Sequence, residues 1–600
     1  MAARSSRAPL VVAAVVGLVA VLAVRSLGGD AGPADTPQGQ QTPSDCVIVA
    51  LSASSEKAAL LGQIAGDYAE QDGEAGGQCA RVVVTSKSSG GATEALARGW
   101  DEQVDGPRPD VWSPASSSWA GLLRQRTSAL DAPDLIGDAD LPSIANTPLV
   151  IAMPKPMAET LGWPDTPIGW SDILELARDP EGWSRFGKPY GAFKLGKTNP
   201  NFSTSGLNAT IGAYFAATGL SSDLQPADLA RPEVLDYVRG VESSVVHYGD
   251  TTLTFLSNLQ KADDAGQGLT YVSAATVEEK SVWDYNQGNP TGDPATLGDR
   301  PKPKIPLVGI YPKEGTLFSD NPYVVLQGDW VDDAKRAVAA DFLAYVRGEG
   351  PQQRFADAAF RSFDGTPGDR ITRAEGLLPD QPTTILTPPA PPVLALVQQS
   401  WEQLRKRAKV LLVLDVSGSM SELVGAQGAS KLDLAKRAAA SAVDLLAADD
   451  EVSLWVFSTE QDGQRPYREL VPFGPAAERK ADIKAQIADL VPGGGTGLYA
   501  TTRAATRALN ETFDSARINA VVVLTDGRNE FPGDSNIESL VDELSPEDVD
   551  RTVRVFPIAY GDDADLAELG RIADASRAAV YDASDPASLD KVLTAVLSNF

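Results

Sequence analysis

Short apolar runs closed by polar or turn-forming residues recur along most of this chain. In its first part, residues 47–51, 81–85, 110–114, 146–154, 188–193, 269–273 and 307–311 read this way. Each is too short for a helix, and a continuous apolar run of this length suits a strand buried on both faces. Between the runs, apolar positions shift to spacings of three and four, which predicts helices over 56–68, 171–178, 205–218 and 332–347. After residue 408 the alternation tightens. Strands are expected at 410–414, 452–457, 518–524, 553–560 and 579–581, and helices at 431–446, 478–490, 498–513 and 565–573, with another from Pro586. Strict alternation of this kind predicts an α/β fold, its last part a doubly wound, mostly parallel sheet with helices on both faces.

Two stretches break the pattern. Residues 364–392 are rich in Pro, Gly and Thr and end in Pro388-Pro389-Ala390-Pro391-Pro392, which reads as a semi-rigid connector. A helix over 393–407 should follow, its basic end Arg405-Lys406-Arg407 suited to a helix carboxyl terminus. The expected division is therefore a domain over 46–363, a linker and connecting helix over 364–408, and a domain over 409–600. At the amino end, Arg4 and Arg7 precede an uncharged apolar run, 8–24. The sequence Leu22-Ala23-Val24-Arg25 fits small-residue cleavage poorly, and the polar Pro43-Ser44-Asp45 gives no lipid-attachment pattern before Cys46. Residues 1–25 are thus expected to be an uncleaved single-pass anchor in the cell membrane, with 26–45 a flexible spacer and the bulk of the chain extracytoplasmic.

The 600 residues are 43% hydrophobic and 22% charged, as in ordinary globular proteins, and carry a net charge of −29. That charge argues against nucleic acid, whose binders need a basic face, and against direct contact with an anionic membrane surface. The only two cysteines, Cys46 and Cys79, each open an apolar run on either side of the 56–68 helix. A strand-helix-strand unit sets its strands side by side and places both cysteines at one end. An extracytoplasmic location permits a disulfide between them, worth roughly 3–4 kcal/mol for a loop of this length.

The strand at 410–414 runs into Asp415-Val416-Ser417-Gly418-Ser419. Three oxygen side chains at alternate positions, just past a strand's carboxyl end, can converge on one hard cation. The stretch resembles the metal-ion-dependent adhesion site of von Willebrand factor type A domains. Two further motifs in order carry the resemblance, a Thr in the glycine-rich loop Gly493-Gly494-Gly495-Thr496-Gly497 and the Asp of Thr525-Asp526-Gly527 after the 518–524 strand. The resemblance covers about 409–600 and implies a metal held by Asp415, Ser417, Ser419, Thr496 and Asp526. Oxygen donors around a small six-coordinate ion favour Mg²⁺, with Mn²⁺ or Ca²⁺ as alternatives. The family further implies a protein partner that offers an acidic side chain to the ion.

The 46–361 region resembles the extracellular solute-binding proteins of bacterial transport systems. The parallels are the first strand ending in Ser52-Ala53-Ser54, the Ser113-Pro114 turn, the strand Thr147-Pro148-Leu149-Val150-Ile151-Ala152, and the Ser/Thr-rich loop that enters a helix at 199–206. Such proteins have two α/β lobes with a small-molecule solute in the cleft. On that likeness Ser52, Ser54, Ser88, Ser89, Gly90, Ser113, Ser203, Thr204, Ser205 and Tyr271 are candidate ligand contacts, at strand ends and helix starts. Trp112 and Trp119 are expected in the core rather than stacked on a ligand. Residues 191–198, GAFKLGKT, match a phosphate-loop pattern letter for letter. Nucleotide binding is nonetheless not expected, because Asn199-Pro200-Asn201 follow where a helix would have to begin.

These features favour a membrane-anchored binding protein, with the receptor of an uptake transporter as the alternative. They give little support to a metal-dependent enzyme. His247 is the only histidine and falls in a stretch read as helical, and no G-x-S-x-G elbow occurs. Zinc hydrolysis normally needs nitrogen ligands, which this metal motif lacks.

Overall fold

The computed structural model describes residues 46–600, apart from 72, 76, 139, 250, 425–427, 464, 546, 547 and 549. The expected anchor and spacer lie outside the described residues. Among the described residues, no helix is long and apolar enough to cross a membrane.

Three sheets organise the chain. The first has the strand order Val324–Val325, Val111–Ser113, Val47–Ala53, Gln78–Ser86, Glu74–Ala75. Val47–Ala53 and Gln78–Ser86 run parallel, from Val47 opposite Ala80 to Ala53 opposite Ser86, with the Ser55–Glu70 helix between them. Cys46 and Cys79 open these strands and are joined as a disulfide. The second sheet has the order Phe318–Ser319, Thr147–Pro154, Ala274–Glu278, Leu195–Thr198, Val245–Gly249, with Leu307–Ile310 also paired to Thr147–Pro154. The chain passes between these lobes near Asn146, whose backbone exchanges hydrogen bonds with Arg361 at 3.0 and 2.8 Å.

Two expected strands are displaced. Residues 188–193 are irregular and the strand forms at Leu195–Thr198, because Pro189 and the left-handed Gly191 (φ 79°) interrupt an extended ladder. Residues 269–273 contain a helical turn, Gly268–Tyr271, and the strand begins at Ala274. His247 lies in the Val245–Gly249 strand, not in a helix.

The lobes do not face each other across open water. Trp112, Trp119, Leu122 and Leu123 of the first lobe pack with Leu207, Ile211, Tyr214 and Phe215 of the Thr204–Thr218 helix of the second. Val393, Val397 and Leu404 of the Pro391–Leu404 helix join the same core. That helix therefore straps both lobes before entering the third sheet. The 364–392 stretch is mostly loop, but it is packed against the lobes through Ile371, Leu377 and Leu386. Arg407, one residue into the next strand, donates to the carbonyls of Glu402 (2.7 Å) and Gln403 (3.1 Å), satisfying the helix carboxyl end.

The third sheet has the order Arg465–Pro475, Glu451–Asp462, Arg407–Asp415, Arg517–Thr525, Arg554–Tyr560, Tyr581–Ala583. Its five strands other than Arg465–Pro475 run parallel, and Arg407–Asp415 sits between Glu451–Asp462 and Arg517–Thr525. Alternate residues of this central strand feed two cores, Val410, Leu412 and Leu414 on one face and Leu411 and Val413 on the other. Full burial of each such side chain is worth roughly 1.5–3 kcal/mol. The antiparallel Arg465–Pro475 strand and the Ile537–Leu544 helix were not expected from the sequence pattern. The strand carries Pro466, Pro472 and Pro475, which an edge position tolerates.

The third sheet's domain is seated on the second lobe. Asn199 Nδ2 donates to the Ser598 carbonyl at 3.0 Å, and the Tyr248 N–H to that of Asn599 at 2.9 Å. The buried Arg405 guanidinium, at the end of the strapping helix, pairs with Asp450 at 2.6 Å.

Candidate functional site

Asp415 ends the central strand, so its side chain emerges at the carboxyl rim of the sheet, where open α/β folds carry their sites. The loop beyond it is fixed by backbone. Val416 N–H donates to Phe457 O at 2.9 Å, Gly418 N–H to Gly494 O at 2.7 Å, and Gly493 N–H to Val416 O at 2.8 Å. These bonds hold the Ser417–Ser419 turn against the glycine-rich loop, in which Gly494 takes φ 78°. Thr496 is brought in from that loop, and its N–H donates to Glu530 Oε2 at 3.1 Å. Asp526 arrives from the end of the neighbouring Arg517–Thr525 strand. Gly527 follows it with no side chain, and a Cβ there would lie 2.9 Å from Thr496 Oγ1.

Four of the five metal candidates, Ser417, Ser419, Thr496 and Asp526, thus line one rim, and the buried Asp415 is bonded to the Ser417 N–H beside it. Ser417 and Ser419 hydroxyls are 3.0 Å apart, and Ser419 donates to Asp526 Oδ1 at 2.7 Å. Asp415 accepts the Ser417 N–H at 2.8 Å and the Thr525 hydroxyl at 2.6 Å. Asp415 and Asp526 are fully buried, while Ser419 stands exposed at the mouth. Burial, reinforced by the Asp526 charge, pushes the Asp415 carboxyl up to about 7 against the pull of its hydrogen bonds. Two carboxylates sharing a water-poor rim with three hydroxyls are a donor set that a hard cation would relieve. The rim opens into a depression of about 500 Å³, bordered also by Arg528, Glu530, Asp562 and Asp563. Among the described residues no cluster of three or more His, Cys, Asp or Glu is placed to hold a metal.

Lys431 escaped the sequence reading. It begins the Lys431–Val443 helix, and its ammonium lies 3.2 Å from Asp526 Oδ2 and 2.7 Å from Glu422. The helix start at 431 was expected, and the Ser430–Asp433 capping box marks it, but neither gives the lysine's partners.

The solute candidates are distributed differently. Ser88, Ser89, Gly90, Ser203 and Thr204 lie at the seam between the lobes, and most of the ten are used up by the protein itself. Ser54 accepts from Lys57 Nζ at 2.8 Å, Ser88 caps its helix through Gly91 N–H at 3.3 Å, and Ser113 donates to Pro322 O at 2.8 Å. Ser89 accepts from Ala115 N–H at 3.0 Å and from Thr204 at 3.4 Å. Thr204 also accepts from Trp119 Nε1 at 2.8 Å across the lobes. Ser203 and Ser205 hydroxyls are 3.0 Å apart, and Ser205 is 2.8 Å from Thr252 Oγ1. Gly90 N–H donates to Phe202 O at 3.0 Å. Ser52 is buried on its strand. The remaining seam cavity is about 10 Å³, room for roughly one water. Tyr271 stands apart, buried beside Phe255 with its hydroxyl 3.4 Å from His247 Nε2.

Two charged groups at the seam also went unread. Burial lowers Lys57 to about 7, and its ammonium is held by Ser54, Pro114 O and Asn321. Burial, with the Glu56 charge, raises Glu278 to about 8. The phosphate-loop match is excluded by geometry. Leu195–Thr198 is a strand, and Lys197 Nζ is buried against Glu242 and Thr210.

Residues 49–361 match the model of the bacterial extracellular solute-binding proteins, and residues 409–595 that of the von Willebrand factor type A domain. Among solved structures, one similar chain is a von Willebrand factor type A protein from Catenulispora acidiphila, at 23% identity and TM-score 0.27 over 32% of this chain and 42% of that one. The chain thus spans less than half the length of that relative. Another is the periplasmic binding protein AfuA from Actinobacillus pleuropneumoniae, with fructose-6-phosphate bound, at 13% identity and TM-score 0.39 over 60% of this chain and 99% of that one. A periplasmic thiamin binding protein is similar at 10% identity and TM-score 0.40, over 60% and 96%. No curated protein matches the chain.

Proposed function

The chain belongs to the bacterial extracellular solute-binding proteins and carries a von Willebrand factor type A domain after that region, and from this we propose an extracytoplasmic protein whose last domain binds a protein partner through Mg²⁺. Asp415, Ser417, Ser419 and Thr496 would hold the ion, with Asp526 acting directly or through water. The bound ion would supply a Lewis-acidic position for a Glu or Asp of the partner. Only two of the five donors are charged, so the ion keeps positive character. The observation that carries the reading is the buried Asp526 lining one rim with the Ser417, Ser419 and Thr496 hydroxyls, beside the buried Asp415 that accepts the Ser417 N–H.

The first domain is read as the platform that presents this rim. With a seam cavity of about 10 Å³, a small-molecule solute would enter only after the lobes part. The apolar run at 8–24 would tether the whole to the membrane, with 26–45 as spacer.

The test is calorimetric titration of Mg²⁺ and Mn²⁺ into the protein, with Asp415→Ala and Ser417→Ala alongside. Asp415→Ala should abolish binding and Ser417→Ala weaken it, both with unfolding temperatures close to the parent. A parent protein that takes neither ion at millimolar concentration, or an Asp415→Ala variant that binds equally well, overturns the metal reading.

A further inference from the structure

We propose that Lys431 is a resident counter-cation of the metal centre, which holds Asp526 back from the ion and keeps the site's affinity low. This rests on the metal reading above and goes beyond it to a residue that tunes the site.

Three observations make the lysine part of the rim. Its side chain is 4% exposed, far too enclosed for a solvating surface lysine, and its ammonium meets Asp526 at 3.2 Å, Glu422 at 2.7 Å and Asp563 at 3.8 Å. Its backbone is pinned, the N–H donating to Glu422 O at 2.8 Å and the carbonyl accepting the Tyr560 hydroxyl at 3.1 Å. Space is reserved for its stem, since Gly561 takes φ 75° and a Cβ there would sit 3.1 Å from Lys431 Cε.

The consequence for the ion follows from charge. Asp526 Oδ1 takes the Ser419 hydroxyl and Oδ2 takes the ammonium. Both oxygens are thereby oriented, and the carboxylate's charge is partly spent before any metal arrives. Among the buried groups alone, two carboxylates and one ammonium leave a single net negative charge, with the exposed Glu422 and Asp563 and the bordering Arg528, Glu530 and Asp562 further toward water. A divalent cation then meets a weaker field than the carboxylates alone would set, and a positive neighbour 3.2 Å from Asp526 that repels it at close range. Asp526 is accordingly favoured as a water-mediated ligand rather than a direct one. Low intrinsic affinity also leaves the ion dependent on a partner's carboxylate to complete its shell, so that metal and partner stabilise each other's binding. Glu422 and Asp563 are the more exposed anchors and keep the ammonium at the rim's edge.

Removing a merely structural lysine would weaken metal binding or leave it alone, whereas removing a counter-cation tightens it. Manganese should be titrated into the full chain by calorimetry and by paramagnetic resonance of the free ion, with Lys431→Met, Lys431→Gln and Lys431→Arg, and with Lys436→Met as a helix-surface control. Both neutral variants should bind Mn²⁺ roughly tenfold or more tightly, Lys431→Arg should stay near the parent, and Lys436→Met should change by less than about twofold. Parent-like or weaker Mn²⁺ binding by folded Lys431→Met and Lys431→Gln overturns this proposal while leaving the metal reading intact. Loss of fold in both neutral variants makes the lysine structural and overturns it as well. No binding by the parent or any variant brings down the metal reading and this proposal with it.

Discussion

Gly90 and Phe202 meet across the two lobes, the Gly90 N–H donating to the Phe202 carbonyl at 3.0 Å. Nothing larger than glycine fits there. A Cβ at position 90 would lie 2.0 Å from the Asn201 carbonyl oxygen and 2.6 Å from Phe202 Cα, and backbone cannot step aside as a flexible side chain can. This contact, the Trp119–Thr204 bond and the shared apolar core join the lobes directly.

Gly90→Ala should therefore part the lobes or cost stability. Overpacking of this kind typically costs about 1–3 kcal/mol. Small-angle scattering should report a larger radius of gyration, and thermal unfolding a lower midpoint. If both are unchanged, the seam is looser than its geometry implies, and closure does not depend on that contact.

His247 is the chain's single histidine, and it is buried between Phe255, Tyr271 and, from the last domain, Phe556. Burial, then the nearby Arg554 guanidinium, lowers it to about 3. The unfolded chain would take up a proton near 6.5 that the folded protein refuses until about pH 3, so stability is lost as pH falls through that window. The loss amounts to a few kcal/mol at most. His247→Phe should be less acid-sensitive than the parent between pH 7 and 4, measured by urea unfolding. The lone imidazole resonance should stay in its neutral position down to pH 4, and a midpoint near 6.5 would refute the assignment.

Much of this architecture was legible because its signals are local. The strand at 407–415 contains the continuous apolar run 410–414, and the three metal motifs are each compact, two at strand ends and one in the glycine-rich loop before a helix. The edge strand 465–475 was not legible, because its three prolines and scarcity of buried positions mimic a loop. The strand at 195–198 escaped for another reason. Gly196 and Lys197 look like turn residues until Glu242, far along the sequence, supplies the lysine's counter-charge. Lys431 was hidden in the same way, since Glu422, Asp526 and Asp563 come together only in the folded domain. The seam serines carried a real signal for helix starts. Ser54, Ser88 and Ser203 do precede helices, and sequence alone could not say that Lys57, the Gly91 N–H, and Thr198 with Ser205 already take up their hydroxyls.

Gly527→Ala offers a probe of the metal rim that substitutes none of the proposed ligands. The added methyl would press on Thr496 Oγ1 at 2.9 Å and turn that hydroxyl away. Mn²⁺ affinity should fall by about the order of magnitude that one lost donor implies, with the unfolding midpoint within a few degrees of the parent. Unaltered affinity would mean that Thr496 contributes nothing to the ion.

Asp450 ties the last domain to the strapping helix, and its removal should be the most damaging change considered. It is fully buried and accepts from Arg405 at 2.6 Å, the Ala408 N–H at 2.8 Å and the Ala447 N–H at 2.6 Å. Asp450→Ala strands a buried guanidinium and two backbone donors together, and breaking such a pair costs about 3–5 kcal/mol. Asp450→Asn keeps an acceptor for the backbone and should cost less. The double variant Arg405→Met with Asp450→Leu removes the stranded charge but not the two orphaned N–H groups, so it should recover only part of the loss. Calorimetric unfolding of the four proteins distinguishes these cases. Equal stability of the double variant and the parent would show that the backbone donors find other partners, and that the ion pair, not the amide cradle, accounts for the cost.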